Sequence, residues 1–161
     1  MSYFKRFVTF STTVEELSKS IQKIKTVHMQ SFGLQSSSAL CLVVLSHHEA
    51  GLSVSTLAKE CKLDKAAVSR TLHELYRCGA VCYPEAAPDG KRNYRLPWKL
   101  TPKGKRIVLK MRTLAERSVK RVTEDISPEE LAAFYHTLGI LRRNLTAYVK
   151  ELDMAVKRKE C

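Results

Sequence analysis

Four polar residues edge one short stretch of this sequence, and their side chains are of the types that bind nucleic acids. Lys65, Ser69, Arg70 and His73 lie among small and apolar residues in the segment KAAVSRTLHEL. An arginine can bond in a fork to the O6 and N7 atoms of guanine, and a serine hydroxyl can hold a phosphate. The pattern predicts a helix that lies against a negatively charged partner.

Two helices separated by a tight corner are predicted to position these side chains. Ser53 precedes a short helix over VSTLAKEC, and Asp64 is placed to cap the helix that follows. The inward faces of the two helices are formed by Leu57, Ala58, Cys61, Val68, Leu72 and Leu75. Lys62 occupies the corner, where a left-handed backbone would cost a non-glycine residue about 1 to 2 kcal/mol. Together the two helices predict a helix-turn-helix.

The N-terminal end of the helix that follows Asp64 is the part best suited to contact bases. Ala66 and Ala67 follow the Asp64 cap, and such small side chains let a helix backbone approach a partner closely. An alanine methyl can also contact the methyl group of thymine. The free N–H groups and the dipole at a helix N-terminus favour the approach of phosphate.

Helical patterns are predicted on both sides of this pair. A first helix over about 13–32 begins where Thr13 and Glu16 have capping-box spacing and ends before Gly33. Another helix, which precedes the helix-turn-helix, follows the serines around Ser36. It is apolar nearly all round and ends before Gly51. Its composition predicts a central, buried helix.

The second half of the chain is predicted to form a hairpin and two long helices. The segments AVCY and YRLPWKL are typical of short strands, and PDG between them is typical of a hairpin tip; the proline at 97 makes the second strand irregular. Thr101 and Pro102 begin a long helix, and Ser127 with Glu130 begins the last one, so that helices extend over about 102–152.

The charge of the chain favours a polyanionic partner. The 161 residues carry a formal net charge of +12. This value alone does not distinguish DNA, RNA and anionic lipid. Between Gly90 and Arg112 there is no acidic residue and a run of basic ones: Lys91, Arg92, Arg95, Lys99, Lys103, Lys105, Arg106, Lys110 and Arg112.

The cellular location follows from what the sequence lacks. No stretch is apolar enough for a membrane span, and the start MSYFKRFVTF does not resemble a secretory signal. We expect a cytoplasmic protein with five reduced thiols. No convergent catalytic residues, glycine-rich phosphate loop or four-ligand metal site is visible, so we expect no enzyme activity, cofactor or metal.

The order of these elements resembles the MarR/SlyA family of winged helix-turn-helix transcriptional regulators. The likeness is carried by LAKECKLDKAAVSRTLHELYRCGAV, DGK and LTPKG, and extends over roughly residues 13–152. It implies a mainly α fold with a small β-hairpin wing, formed by one domain over 1–161. A winged helix-turn-helix core over about 36–100 would lie between N- and C-terminal dimerisation helices.

The resemblance also implies how DNA would be bound. The second helix of the helix-turn-helix would enter the major groove and the wing the neighbouring minor groove. The groove-facing candidates are then Lys65, Ala66, Ala67, Ser69, Arg70 and His73, with Lys91 and Arg92 at the wing tip. The predicted DNA contacts also include two serines at the start of the helix that precedes the helix-turn-helix, Ser37 and Ser38. They include Lys103 at the start of the long helix as well.

The predicted function is that of a sequence-specific transcriptional regulator. The long apolar stripes of the first and last helices favour a homodimer, which would read a pseudo-palindromic operator, act as a repressor and associate with the nucleoid. The alternative is an architectural protein that coats DNA without sequence preference. Family members respond to a small aromatic ligand or an oxidant, and Cys41 and His28 are the candidates for sensing such a signal.

Overall fold

The first helix begins earlier than the sequence pattern predicts. The computed structural model describes residues 2–83 and 97–159, and α1 runs over Tyr3–Gln30. The N–H of Lys5 donates to Ser2 Oγ at 3.3 Å, so that Ser2 rather than Thr13 caps the helix. Thr13 lies inside α1, and its neighbour Thr12 donates its hydroxyl to the carbonyl of Val8 at 2.9 Å. The start of α1 predicted from the capping-box spacing of Thr13 and Glu16 was therefore wrong.

Three short helices form the centre of the fold: α2 over Ser37–Ser46, α3 over Val54–Cys61 and α4 over Lys65–Arg77. Their apolar faces meet in one core with residues from the neighbouring segments. Its fully buried members include Met29, Cys41, Leu42, Leu45, Leu57, Val68, Leu72, Leu75 and Val81. The core thus fixes α4 on one side and leaves its other side exposed.

The corner between α3 and α4 has the predicted chemistry. The N–H of Thr56 donates to Ser53 Oγ at 3.1 Å, and the N–H of Ala67 donates to Asp64 Oδ1 at 2.7 Å. Lys62 has a φ of 53°, and it is the one non-glycine residue with positive φ in the described ranges. The caps fix where α3 and α4 begin, and the left-handed residue turns the chain between them.

A two-stranded antiparallel sheet follows α4. Strand β1 covers Val81–Cys82 and pairs with β2 over Lys99–Leu100, so that Val81 lies opposite Leu100. A further bridge joins Leu52 to Trp98. Gly51, with a φ of 83°, permits this bridge, because a Cβ there would lie 2.5 Å from the Trp98 carbonyl oxygen. Mainly α structure with a small antiparallel sheet confirms the predicted fold class.

Two long helices complete the chain, α5 over Pro102–Val122 and α6 over Pro128–Lys159. The predicted capping box of α6 is present, with the N–H of Glu130 donating to Ser127 Oγ at 3.2 Å and the N–H of Ser127 donating to Glu130 Oε2 at 3.0 Å. The chain divides into two compact units between Ala115 and Glu116. Within the described ranges, no helix is long and apolar enough to cross a membrane.

Candidate nucleic-acid interface

Helix α4 presents its predicted DNA-binding residues on the side that faces away from the core. Val68, Leu72 and Leu75 are fully buried on the opposite side. Lys65, Ala66, Arg70 and His73 are exposed, and Ala67 and Ser69 are partly exposed. Between the Asp64 cap and Glu74 this helix carries no acidic residue. Its first two turns are thus a positively charged, solvent-facing surface.

The geometry of His73 fixes which of its nitrogens can reach a partner. Its Nδ1 atom lies 2.7 Å from the Ser69 carbonyl oxygen. A carbonyl oxygen only accepts hydrogen bonds, so Nδ1 carries the proton and donates. The Nε2 atom of the neutral ring is left as an acceptor, and in the protonated ring it is a second donor. His73 can therefore present either hydrogen-bonding role to a base or phosphate.

An aromatic cluster joins α4 to both ends of the predicted wing. The Trp98 ring lies 4.9 Å from Tyr83, 6.0 Å from His73 and 6.1 Å from Tyr76, measured between ring centroids. Tyr83 and Trp98 are almost the last and first described residues around the segment 84–96. Lys91 and Arg92, the predicted wing-tip contacts, lie outside the described residues. The sequence pattern does not predict this cluster.

Lys103 lies at the far end of α4, where it has a partner within the protein. Its Nζ donates a hydrogen bond to the carbonyl oxygen of Cys78, the residue that ends α4. An ammonium group is favoured there, because the carbonyl end of a helix is partially negative. Sequence alone could not place Lys103 against a carbonyl 25 residues away.

The two serines predicted to contact DNA at the start of α2 are placed differently by the structure. Ser38 is fully buried, and its hydroxyl has no hydrogen-bond partner among the described residues. The prediction that Ser38 contacts DNA was wrong, because Ser38 lies three and four residues before the buried Cys41 and Leu42 and so shares their inward side of α2. Ser37 is exposed, and its side chain lines a cavity beside α2.

That cavity has a volume of about 510 Å³ and lies between α1, α2 and the first half of α5. Its apolar wall is formed by Met29, Ala39, Leu40, Val43, Leu63, Met111 and Ala115. Its polar lining is formed by Gln22, Lys25, His28, Ser36 and Ser37. His28, one of the two predicted sensing residues, is therefore at a cavity. Lys25 was missed, although it lies one helical turn before His28.

Cys41, the other predicted sensing residue, lies in the core. Its side chain is fully buried. Burial, reinforced by the neighbouring Cys61 thiol, raises the pKa of Cys41 to about 12. Oxidants attack the thiolate, which this environment disfavours and shields. Cys41 packs as a small apolar residue of the core, and its role in sensing stays a prediction that this burial disfavours.

Comparison with known protein families gives a match over part of the chain. Residues 32–92 match the model of the MarR family. No curated protein matches the chain. The matched segment includes α2, α3 and α4 and therefore the whole helix-turn-helix.

Solved structures match most of the chain. A MarR family transcription regulator is similar over 92% of this chain and 95% of its own, with 21% identity and a TM-score of 0.81. The Staphylococcus aureus MepR–DNA complex covers 84% and 96% of the two chains, with 19% identity and a TM-score of 0.69. The Mycobacterium tuberculosis protein Rv2887, in complex with salicylic acid, covers 80% and 93%, with 22% identity and a TM-score of 0.59. At these identities the likeness is one of fold.

Proposed function

We propose that this chain, whose residues 32–92 match the model of the MarR family, is a homodimeric repressor that binds a pseudo-palindromic operator in double-stranded DNA. It would act in the cytoplasm, in association with the nucleoid. Members of the MarR family regulate transcription, which supports this proposal. We propose in addition that the chain forms a dimer, that it binds an operator, and that a signal releases it from DNA.

The exposed first half of α4 is the observation that carries the proposal. Arg70 and His73 lie on its solvent side, and Ala66 and Ala67 leave the backbone near its N-terminus accessible. In helix-turn-helix proteins the N-terminal residues of the second helix contact base edges. We assign Arg70 to a guanine, which corresponds to about 1 to 3 kcal/mol of base discrimination. We assign Ser69, which is partly exposed, to a phosphate.

A second copy of the chain is the proposed partner of the terminal helices. α1 and α6 expose many large apolar side chains, among them Phe7, Leu17, Ile21, Leu138 and Leu145. Patches of this length are normally covered in a soluble protein. A two-fold dimer would place two copies of α4 about one helical turn of DNA apart, on an operator of roughly 16 to 20 base pairs.

A small aromatic molecule bound in the 510 Å³ cavity is the proposed signal. The cavity combines an apolar wall with Lys25, His28 and two serine hydroxyls, which suits a flat ligand with a polar or anionic edge. The salicylic acid complex of Rv2887 is a precedent in a protein of the same fold. The resemblance implies two kinds of signal, an aromatic ligand or an oxidant. The burial of Cys41 favours the aromatic ligand.

Selection from a random duplex library at about 150 mM salt tests the proposal, because non-specific binding is weak under these conditions. We expect one pseudo-palindrome to be enriched by the wild-type protein. Arg70→Ala should relax the preference at one position of each half-site. Arg77→Ala, on the same side of α4 but in its last turn, is the matched control and should leave base preference unchanged.

The same experiment distinguishes the architectural alternative. A protein that coats DNA would recover duplexes of every sequence, and both arginine variants would weaken binding to all of them equally. That result would reject sequence-specific repression while leaving DNA binding in place.

A further inference from the structure

The end of α4 is attached to the start of α5 by three consecutive carbonyl groups. The Lys103 ammonium donates to the carbonyl of Cys78. The Thr101 hydroxyl donates to the carbonyl of Gly79 at 2.6 Å, and the Thr101 N–H donates to that of Ala80 at 3.0 Å. Cys78 is the C-cap of α4, and Gly79 and Ala80 are the two residues that follow it, so Thr101 and Lys103 bind the carbonyl groups of the turn that ends α4.

Two further features bring the end of α4 close to the start of α5, and we call this contact the joint. They are a hydrogen-bonded turn after α4 and the small residue Gly104. The N–H of Ala80 donates to the Leu75 carbonyl at 2.8 Å and that of Gly79 to the Tyr76 carbonyl at 2.9 Å, with Gly79 at a φ of 71°. These are the two bonds of a Schellman motif. A Cβ on Gly104 would lie 2.0 Å from the Ala80 carbonyl oxygen, so α5 approaches this turn as closely as a backbone can.

We infer that Lys103 is a positioning residue for α4, the proposed recognition helix. The joint formed by Thr101, Lys103 and Gly104 then sets the angle between α4 and α5. This inference rests on the proposed function, because it concerns how two copies of α4 are held on one operator. In a dimer, a fixed angle at this joint gives a fixed spacing of the two recognition helices. A loosened joint would allow several spacings.

The geometry favours this role for Lys103 over a phosphate contact. Its ammonium is engaged with the Cys78 carbonyl, where the partial negative charge of the α4 C-terminus holds it. Lys105, two residues further along α5, is exposed and carries the same charge. Substituting each lysine by methionine removes one charge and keeps most of the side-chain volume. Lys103→Met and Lys105→Met are therefore a matched pair.

The decisive measurement is the affinity of the full-length protein for duplexes that carry the selected half-sites at different spacings. One added base pair rotates a half-site by roughly 35° about the DNA axis. We expect wild type and Lys105→Met to prefer the optimal spacing over a spacing one base pair longer by about tenfold. Lys103→Met should reduce this preference to about twofold, with a salt dependence no different from that of Lys105→Met.

A phosphate ligand would give the opposite result. If Lys103→Met keeps the spacing preference and lowers the salt slope by about one for each phosphate lost, Lys103 contacts DNA and the inference is wrong. Unchanged spacing preference and unchanged salt slope would also overturn it.

The Thr101 hydroxyl gives an independent rescue. Thr101→Ser retains the donor to the Gly79 carbonyl and should keep the spacing preference, whereas Thr101→Val has nearly the same shape without the donor and should lose it. If Thr101→Val behaves as wild type, the joint does not set the spacing.

Hydrogen exchange of the free protein tests the joint without DNA. Amides over residues 77–81 should exchange faster in Lys103→Met and Thr101→Val than in wild type or Lys105→Met, because the end of α4 opens more often. Equal exchange rates would reject the joint. Failure of the wild-type protein to select any operator would instead reject the proposed function, and the exchange data would still decide whether the joint exists.

Discussion

Helices α4 and α6 have similar apolar stripes but different surroundings. Val68, Leu72 and Leu75 of α4 are 0% exposed, whereas Leu138, Leu141 and Leu145 of α6 are 46%, 37% and 48% exposed. None of the described side chains of α6 is buried. The apolar face of α4 is buried, and among the described residues that of α6 is exposed. Periodicity predicts that an apolar face exists, and it does not predict whether the chain itself supplies the covering surface.

The largest expected effect is on association through α6. Leu138→Glu combined with Leu145→Glu would place four charges in the proposed two-fold interface, where each buried leucine would contribute about 1.5 to 3 kcal/mol. We expect dimer dissociation to be at least about 1,000-fold more favourable, as measured by sedimentation equilibrium. Ala147→Glu adds the same charge on another side of α6 and should leave the dimer intact. A double variant that sediments as wild type would show that this face is not the interface.

The thiols provide the next contrast, between the core and the edge of the sheet. Cys41 is buried with a pKa of about 12, and Cys82 is exposed. In the native protein at about pH 7.5, Cys41 should react with iodoacetamide about 1,000-fold more slowly than an ordinary thiol, because its thiolate fraction is lower by that factor. Peptide mass spectrometry after brief alkylation measures this. Rapid labelling of Cys41 would contradict its placement in the core.

The same raised pKa has a consequence for stability. The folded protein holds the Cys41 proton more tightly than the unfolded chain does, so this group's contribution to stability is fully present below the ordinary thiol pKa. It is lost as the pH rises from that value towards 12. The unfolding free energy of wild type should therefore decrease more steeply above about pH 9 than that of Cys41→Ala.

Two glycines sharpen the contrast between packed and unpacked helices. A Cβ at Gly104 meets the Ala80 carbonyl oxygen, whereas one at Gly139 of α6 meets only the flexible end of Arg143 at 3.8 Å. Gly104→Ala should lower the unfolding free energy by about 1 to 3 kcal/mol or more. Gly139→Ala should raise it by up to about 1 kcal/mol, because alanine is the better helix former. Urea denaturation measures both, and changes of the same sign would contradict the comparison.

The smallest expected effect concerns the start of α6. Hydrogen bonds from the backbone N–H and the hydroxyl of Ser127 lower the pKa of the Glu130 carboxyl. The contribution of Glu130 to stability is thus present above the ordinary carboxyl pKa and is lost as the pH falls through the lowered value. Glu130→Gln should flatten the decrease in helix stability on acidification, followed by circular dichroism. Glu129→Gln, in the same turn, is the control and should retain the wild-type slope.

The parts of the fold that local chemistry determines could be predicted from the sequence. Asp64 caps α4, Lys62 adopts the left-handed corner, and Ser127 with Glu130 caps α6, because each of these depends on residues within one turn. The start of α1 could not be predicted by the same reasoning. Thr13 and Glu16 have the spacing of a cap, but the aromatic segment before them continues the helix back to Ser2.

The parts of the candidate site that depend on distant residues were less accessible. The exposed side of α4 follows from its own periodicity, and the structure places Arg70 and His73 on that side. The apolar composition of α2 predicts that Cys41 is buried. The burial of Ser38, the approach of Lys103 to Cys78 and the composition of the cavity depend instead on how separate helices meet, which the local pattern of these residues does not indicate.

The aromatic cluster also makes the protein suited to optical measurement. Trp98 is the single tryptophan of the chain, and its ring is 7% exposed and in contact with Tyr83 and with His73 and Tyr76 of α4. Indole emission depends on the polarity and ring contacts of its surroundings. All tryptophan fluorescence therefore originates from one point beside α4, and unlabelled protein can be titrated with DNA or a small aromatic molecule while that single point is observed.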